Sequence, residues 1–272
     1  MNLLHAALLG LMQGVTEVLP ISSSAHLILL PRLLGWPPSG LTFDVALHFG
    51  TLLALLAYFR RDLLPLVREA SSGLFNDQQP GTLRLPWLLA AGTLPAVVAA
   101  LLFEEQIELI FRDNPFLISL LLILFGLGLG LADRYGRQHH GVHNVTLRMA
   151  MIIGSFQALA LLPGVSRSGI TITAALLVGL ARFEAARFSF LLSLPIVFGA
   201  ALNEGTQLLK TGIPAGEGPA MLVGIVVAAV AGYVSVAFLL RFVQSRTVWP
   251  FVWYRLVVGG LLLAGLGAGW LR

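Results

Sequence analysis

The apolar positions of this chain fall in long, nearly unbroken blocks. They show neither the alternation of half-buried strands nor the one-sided stripe of a soluble helix. Six blocks, at about 41–60, 85–104, 115–133, 185–203, 219–243 and 250–271, are long enough to cross a bilayer, which takes roughly 20 helical residues. Two more apolar regions are interrupted near their middles, 3–36 at Pro20 and 147–181 at Pro163-Gly164. Proline removes a backbone donor and disfavours helix at the residue before it. Each interrupted region is therefore predicted to form two shorter helices around a polar turn. The pattern predicts an all-α polytopic membrane protein with six transmembrane helices plus two re-entrant helical hairpins, in a single transmembrane domain over 1–272.

Composition supports lipid as the solvent. The chain is 57% hydrophobic and 11% charged, against about 25% charged residues in soluble domains. Its net charge of +4 does not point to nucleic acid, because the basic residues lie between the apolar blocks and follow the positive-inside bias. Cysteine is absent, which excludes disulfides and thiolate metal sites. The first block has no basic leader and is interrupted by Gln13 and Glu17, so it is not expected to be a signal peptide.

Orientation follows from Lys and Arg. With the 61–84 loop inside, Arg60, Arg61, Arg68, Arg84, Arg134, Arg137, Arg148, Arg182, Arg187, Arg241, Arg246 and Arg255 fall inside. Arg32, Arg112, Lys210 and Arg272 fall outside, and Arg167 stays in the membrane. Both termini then face outward. A shift of 144 residues lays Gly10 on Gly154, Gln13 on Gln157, Ser22 on Ser166, Ser24 on Ser168 and Gly35 on Gly179. Each half, about 1–140 and 141–272, holds one interrupted region and three crossings. Three is odd, so the repeats are predicted to be inverted, with their site at the midplane where the broken helices meet.

The two breaks carry the polar residues. "QGVTEVLPISSSAH" and "QALALLPGVSRSGIT" bring Gln13, Glu17, Ser22, Ser23, Ser24, His26, Ser166, Arg167, Ser168 and Thr171 to membrane depth. A charged side chain at the centre of a membrane helix costs about 2.5–3.5 kcal/mol on insertion scales, so Glu17 and Arg167 are expected to meet. Non-helical backbone at that depth needs protein or a wet cavity beside it. An Arg fork suits phosphate oxygens, and Glu17 suits a hard divalent cation that bridges phosphates. His26 can move a proton, and a serine hydroxyl beside a base can attack phosphorus. The set reads as phosphoryl-transfer chemistry.

These segments resemble the undecaprenyl-diphosphate phosphatase family of bacitracin resistance. That family has a (Glu/Gln)-x-x-x-Glu motif, here Gln13 to Glu17, leading into Pro-x-Ser-Ser-(Ser/Thr)-Gly-His, here Pro20 to His26. Its second motif, Pro-Gly-x-Ser-Arg-Ser-x-x-Thr, stands here as Pro163 to Thr171. The resemblance implies removal of the terminal phosphate of undecaprenyl diphosphate, which recycles the lipid carrier of cell-wall synthesis. It further implies Mg²⁺ or Ca²⁺ as cofactor and a site open to the outer face of the bacterial plasma membrane. Two re-entrant hairpins in interlocked inverted repeats and a homodimer are implied as well. By position, Glu17 binds metal or activates the attacking group. Ser23 is the candidate nucleophile, and His26 is an acid/base or itself the nucleophile. Arg167 holds the diphosphate. Gln13, Ser22, Ser24, Ser166, Ser168 and Thr171 line the site. Gln13 fills a position that is Glu in some members, and Ala25 one that is usually Gly.

A rival reading is an inverted-repeat transporter or polyprenyl-phosphate flippase, with Glu17 as coupling site. It does not account for a hydroxyl cluster facing an arginine. The phosphohistidine class of membrane phosphatases needs a histidine six residues beyond the arginine, where this chain has Thr173. His139, His140 and His143 read as a solvated loop. Asp44 reads as a helix-start acid that could border the pocket, with His48 undecided. Gly126, Gly128 and Gly130 read as close helix packing. "RRDLLPLVREA" reads as an amphipathic cytoplasmic segment.

Overall fold

The computed structural model describes residues 2–36, 40–75, 83–111, 114–211 and 216–269. Among them lie eleven α-helices: α1 (Leu3–Val18), α2 (Ser23–Leu33), α3 (Leu41–Tyr58), α4 (Arg60–Ser71), α5 (Leu85–Phe111), α6 (Pro115–Tyr135), α7 (Leu147–Ala158), α8 (Arg167–Leu177), α9 (Arg182–Thr211), α10 (Gly218–Phe242) and α11 (Trp249–Gly267). Five of these, α5, α6, α9, α10 and α11, are long and apolar enough to cross a membrane. A sixth span exists only if α3 is taken with α4, across a bend of 80°. The chain is an all-α polytopic membrane protein. Its outward faces are apolar, with Leu101 81% and Leu261 68% exposed, as lipid contact requires.

The two interrupted regions break where proline predicts. α1 stops at Val18 and α2 starts at Ser23. α7 ends in a short 3₁₀ turn, Leu159–Leu161, and α8 starts at Arg167. The segment read as amphipathic, "RRDLLPLVREA", lies in α4, where Leu63 and Leu66 pack against the core while Arg60, Arg61 and Arg68 are exposed. It is tied to α9 by Arg187, which donates to Asp62 at 2.5 Å. Of the basic residues used for orientation, Arg112 and Arg272 lie outside the described residues, as does the placement of the Lys210 side chain.

Helices approach closest where neither carries a side chain. α1 packs chiefly on α10, and α7 on α5. A Cβ on Gly10 would meet the Gly224 carbonyl oxygen at 2.5 Å, and one on Gly154 would run into the Gly92 carbonyl. This is small-residue packing of membrane helices. The main core joins α3, α8, α9 and the inner ends of α6, α10 and α11 through residues such as Phe59, Leu129, Leu176, Phe188 and Leu239.

One basic residue departs from its sequence reading. Arg255 was grouped with the inside-facing arginines, but it is fully buried in α11. Its Nε donates to the Leu122 carbonyl at 2.9 Å and its Nη1 to that of Pro20 at 3.4 Å. Its Nη2 donates to the carbonyls of Gly164 and Val165 at 2.9 and 3.0 Å. Both breaks are therefore held by one guanidinium. Carbonyls released from a helix inside a bilayer need such a donor, so burial of the charge is matched by hydrogen bonds.

Two outcomes follow for stability in detergent. Gly154→Ala is expected to destabilise by about 1–3 kcal/mol through overpacking, while Gly128→Ala, with open space around it, stays within about 0.5 kcal/mol. Thermal unfolding of the two variants side by side checks this. Arg255→Met is expected to lower the melting temperature well beyond Arg241→Met, whose side chain is exposed. Equal melting temperatures would show that the guanidinium does not hold the turns.

Candidate active site

The two turns share one unusual backbone geometry. Ser22 has φ 76° and ψ 96°, and Ser166 has φ 74° and ψ 114°. Each is the N-cap of its helix, and its hydroxyl accepts from the amide three residues on, Ala25 at 3.5 Å and Gly169 at 3.2 Å. The hydroxyls of Ser22 and Ser24 pair at 3.3 Å, as do those of Ser166 and Ser168 at 3.4 Å. A positive φ on a non-glycine residue costs about 1–3 kcal/mol and persists only where the surroundings impose it. Here the cap bonds and the Arg255 clamp impose it. Ala25 lies within α2 with ordinary helical φ, so its place in the motif does not demand glycine.

Glu17, at the end of α1, is where the turns meet. Its Oε1 accepts from Arg167 Nη2 at 2.5 Å, and its Oε2 accepts from Ser23 Oγ at 2.5 Å and from Gln13 Nε2 at 3.3 Å. Arg167 Nη1 also donates to the Ser193 carbonyl at 3.3 Å. Those two bonds use part of the fork, whose other donors are available to a ligand. The Glu17 side chain is 7% exposed and that of Arg167 17%. At this burial the pair is only weakly screened, and loss of either partner would strand the other charge. The expected meeting of acid and guanidinium is present.

The remaining predicted residues divide by what they touch. Gln13 is fully buried, and its Oε1 has no hydrogen-bond partner among the described residues. Ser22 and Ser166 are buried caps. Ser168 Oγ donates to the Leu19 carbonyl at 3.2 Å, tying the second turn to the first. Thr171 Oγ1 bonds to the Arg167 carbonyl at 2.8 Å and to Ser189 Oγ at 2.6 Å. Ser168 and Thr171 thus brace the turns from behind. Ser23 and Ser24 are half-buried, with Ser23 at the carboxylate. His26 turns elsewhere: Nδ1 meets the Ser22 carbonyl and Nε2 the Tyr254 hydroxyl, both at 2.7 Å. Its ring stacks on that of Tyr254 at 5.7 Å.

His48 joins the site, where the sequence left it undecided. Its Nδ1 donates to the Asp44 carbonyl at 2.8 Å, and its Nε2 stands 3.6 Å from Glu17 Oε2. The signal available in the sequence was the spacing of four from Asp44, which puts both on one face of α3. His139, His140 and His143 are exposed. Among the described residues no group of three or more His, Asp or Glu is placed to hold a metal. The donors around Glu17 still fit a hard cation of the kind that takes one carboxylate and completes its shell with water and phosphate oxygens. Glu17, with the Gln13 amide bonded to it, is the group that would hold such an ion.

Residues 6–261 match the family model described as bacitracin resistance protein BacA. A protein of Trichlorobacter lovleyi named undecaprenyl-diphosphatase is 65% identical over 269 residues, covering 99% of both chains. Proteins of the same name from Pelobacter propionicus and Geobacter sulfurreducens are 60% and 57% identical. They cover 99% and 98% of this chain, and 99% and 100% of their own. The chain belongs to the bacitracin resistance protein BacA family.

Proposed function

We propose that this protein removes the terminal phosphate from undecaprenyl diphosphate, leaving undecaprenyl phosphate and inorganic phosphate. The reading is supported by the name its relatives carry. The observation that carries it is one carboxylate whose two oxygens hold a serine hydroxyl and an arginine drawn from opposite halves of the chain. The activity recycles a lipid carrier for cell-wall synthesis and underlies bacitracin resistance. In the same reading the protein is a homodimer in the bacterial plasma membrane, with its site open to the outer face. Its halves, about 1–140 and 141–272, are inverted repeats. The matched turns at Ser22 and Ser166 and the positive-inside pattern support the repeats and the orientation.

Ser23 is the nucleophile. Its Oγ touches Glu17, whereas both nitrogens of His26 are engaged by the Ser22 carbonyl and Tyr254. Glu17 Oε2 takes the hydroxyl proton as Oγ bonds to the terminal phosphorus. The bond from phosphorus to the bridging oxygen breaks, and undecaprenyl phosphate leaves with the electron pair. Water then attacks the phosphorus of the seryl ester, the P–Oγ bond breaks, Glu17 returns its proton to Oγ, and inorganic phosphate leaves with the protons of the water. Arg167 binds the equatorial oxygens and stabilises their growing charge. Glu17 and Gln13 are the residues that would hold a Mg²⁺ or Ca²⁺ ion, which would add neutralisation of the diphosphate charge.

Phosphate release from undecaprenyl diphosphate by purified protein in detergent tests the assignment. Glu17→Ala, Ser23→Ala and Arg167→Ala are each expected to lower kcat by about 10²–10³-fold or more, and the Glu17/Arg167 double variant by less than the product of the singles. A parental rate in Ser23→Ala would overturn its role as nucleophile. Parental rates in both Glu17→Ala and Arg167→Ala would overturn the site. Chelation by EDTA is expected to stop release and added Mg²⁺ or Ca²⁺ to restore it, with Gln13→Ala needing more of the ion for half-maximal rate.

A further inference from the structure

Beside the polar site lies a pocket of about 200 Å³ between α2, α6 and α11. Leu29, Leu30 and Leu33 of α2, Leu122 of α6, and Val258 and Leu262 of α11 line it, and His26 with Tyr254 forms its polar edge. Its inner wall is buried, with Leu29 3% and Leu122 0% exposed, while Leu33 at the other end is 50% exposed. The pocket is therefore deepest beside the first turn, has its polar edge at His26 and Tyr254, and opens along α2 toward Leu33. From Ala25 to Leu33 the helix rises about 12 Å.

Its deep end lies beside the first turn, next to the residues that reach the site. Ala25, at that end, gives its amide to Ser22 Oγ, and the next residue in the chain, Ser23, holds Glu17. His26 bonds at one nitrogen to the Ser22 carbonyl and at the other to Tyr254. Leu122, on the wall, gives its carbonyl to Arg255, which also holds Pro20. We infer that this groove takes the first isoprene units of the lipid substrate, so that the chain runs from the diphosphate past His26 and leaves toward the bilayer at Leu33. The inference rests on the phosphatase reading of the site. An apolar chain attached to a headgroup at Ser23 finds here an apolar channel that starts within a turn of that residue. Placing the chain there fixes the angle at which the phosphorus meets Oγ, as binding remote from the reacting atoms does.

Full-length protein in phosphatidylcholine nanodiscs, given farnesyl diphosphate or isopentenyl diphosphate, tests this. The first has a chain that reaches along the groove and the second only a five-carbon stub. Val258→Trp, which fills the groove, is expected to raise KM for farnesyl diphosphate about tenfold relative to KM for isopentenyl diphosphate. Val258→Ala guards against misfolding, and is expected to raise that ratio by less. A ratio unchanged in Val258→Trp, with normal melting temperature, would overturn the groove and leave the phosphatase reading intact. A farnesyl diphosphate analogue with a diazirine at its chain end supplies a readout independent of turnover. Its label is expected on peptides of α2 and α11 and to be displaced by farnesyl diphosphate. Label elsewhere, or displaced by phosphatidylglycerol but not by farnesyl diphosphate, would overturn the inference, the second result marking an ordinary lipid crevice. Label in the groove without phosphate release from either diphosphate would overturn the phosphatase reading instead.

Discussion

Backbone that leaves the helix inside a bilayer has no water to bond with, and every freed carbonyl must find a donor in the protein. The first turn frees Pro20 and the second frees Gly164 and Val165, and Arg255 supplies donors to all three. The strained serines depend on this. So does the meeting of Glu17 with Ser23 and Arg167, because each of those residues sits within six positions of a clamped carbonyl. Arg255 bonds only to main-chain oxygens among its described hydrogen bonds, yet it ties the two turns to each other.

Burial separates the tasks of two arginines of equal charge. Arg255 is wholly enclosed, with its nitrogens given to main-chain oxygens. Arg167 keeps partial access and is paired with a carboxylate. A carboxylate resembles a phosphate in offering two oxygens to a planar fork. Glu17 therefore satisfies Arg167 with an oxygen of the kind such a fork prefers, which lets a cation sit in an apolar setting.

Much of this was legible in the sequence for definite reasons. Long apolar blocks can be satisfied only as membrane helices, and prolines in their middles mark the breaks. Two opposite charges at membrane depth had to meet, and Glu17 and Arg167 do. Arg255 was not legible, because an arginine near the start of an apolar block reads as a flank, and only the tertiary placement of both turns reveals its carbonyls. His48 was hidden in the same way, a lone histidine on a crossing helix whose partner lies on another. The direction of His26 was also beyond reach, since three residues past Ser23 on a helix can face either the carboxylate or α11. Helix ends were blurred as well: α5 and α9 run on to Phe111 and Thr211, past the apolar blocks that announced them.

The matched geometry of the turns has a consequence for how asymmetry arises. Ser23 and Arg167 stand 144 residues apart, each directly after its left-handed serine cap. The position after the serine cap thus carries a hydroxyl in the first turn and a guanidinium in the second. Glu17 has as its counterpart Leu161, in the 3₁₀ turn. The same bend of the backbone, used twice, presents a different chemistry each time through the side chains at equivalent points alone.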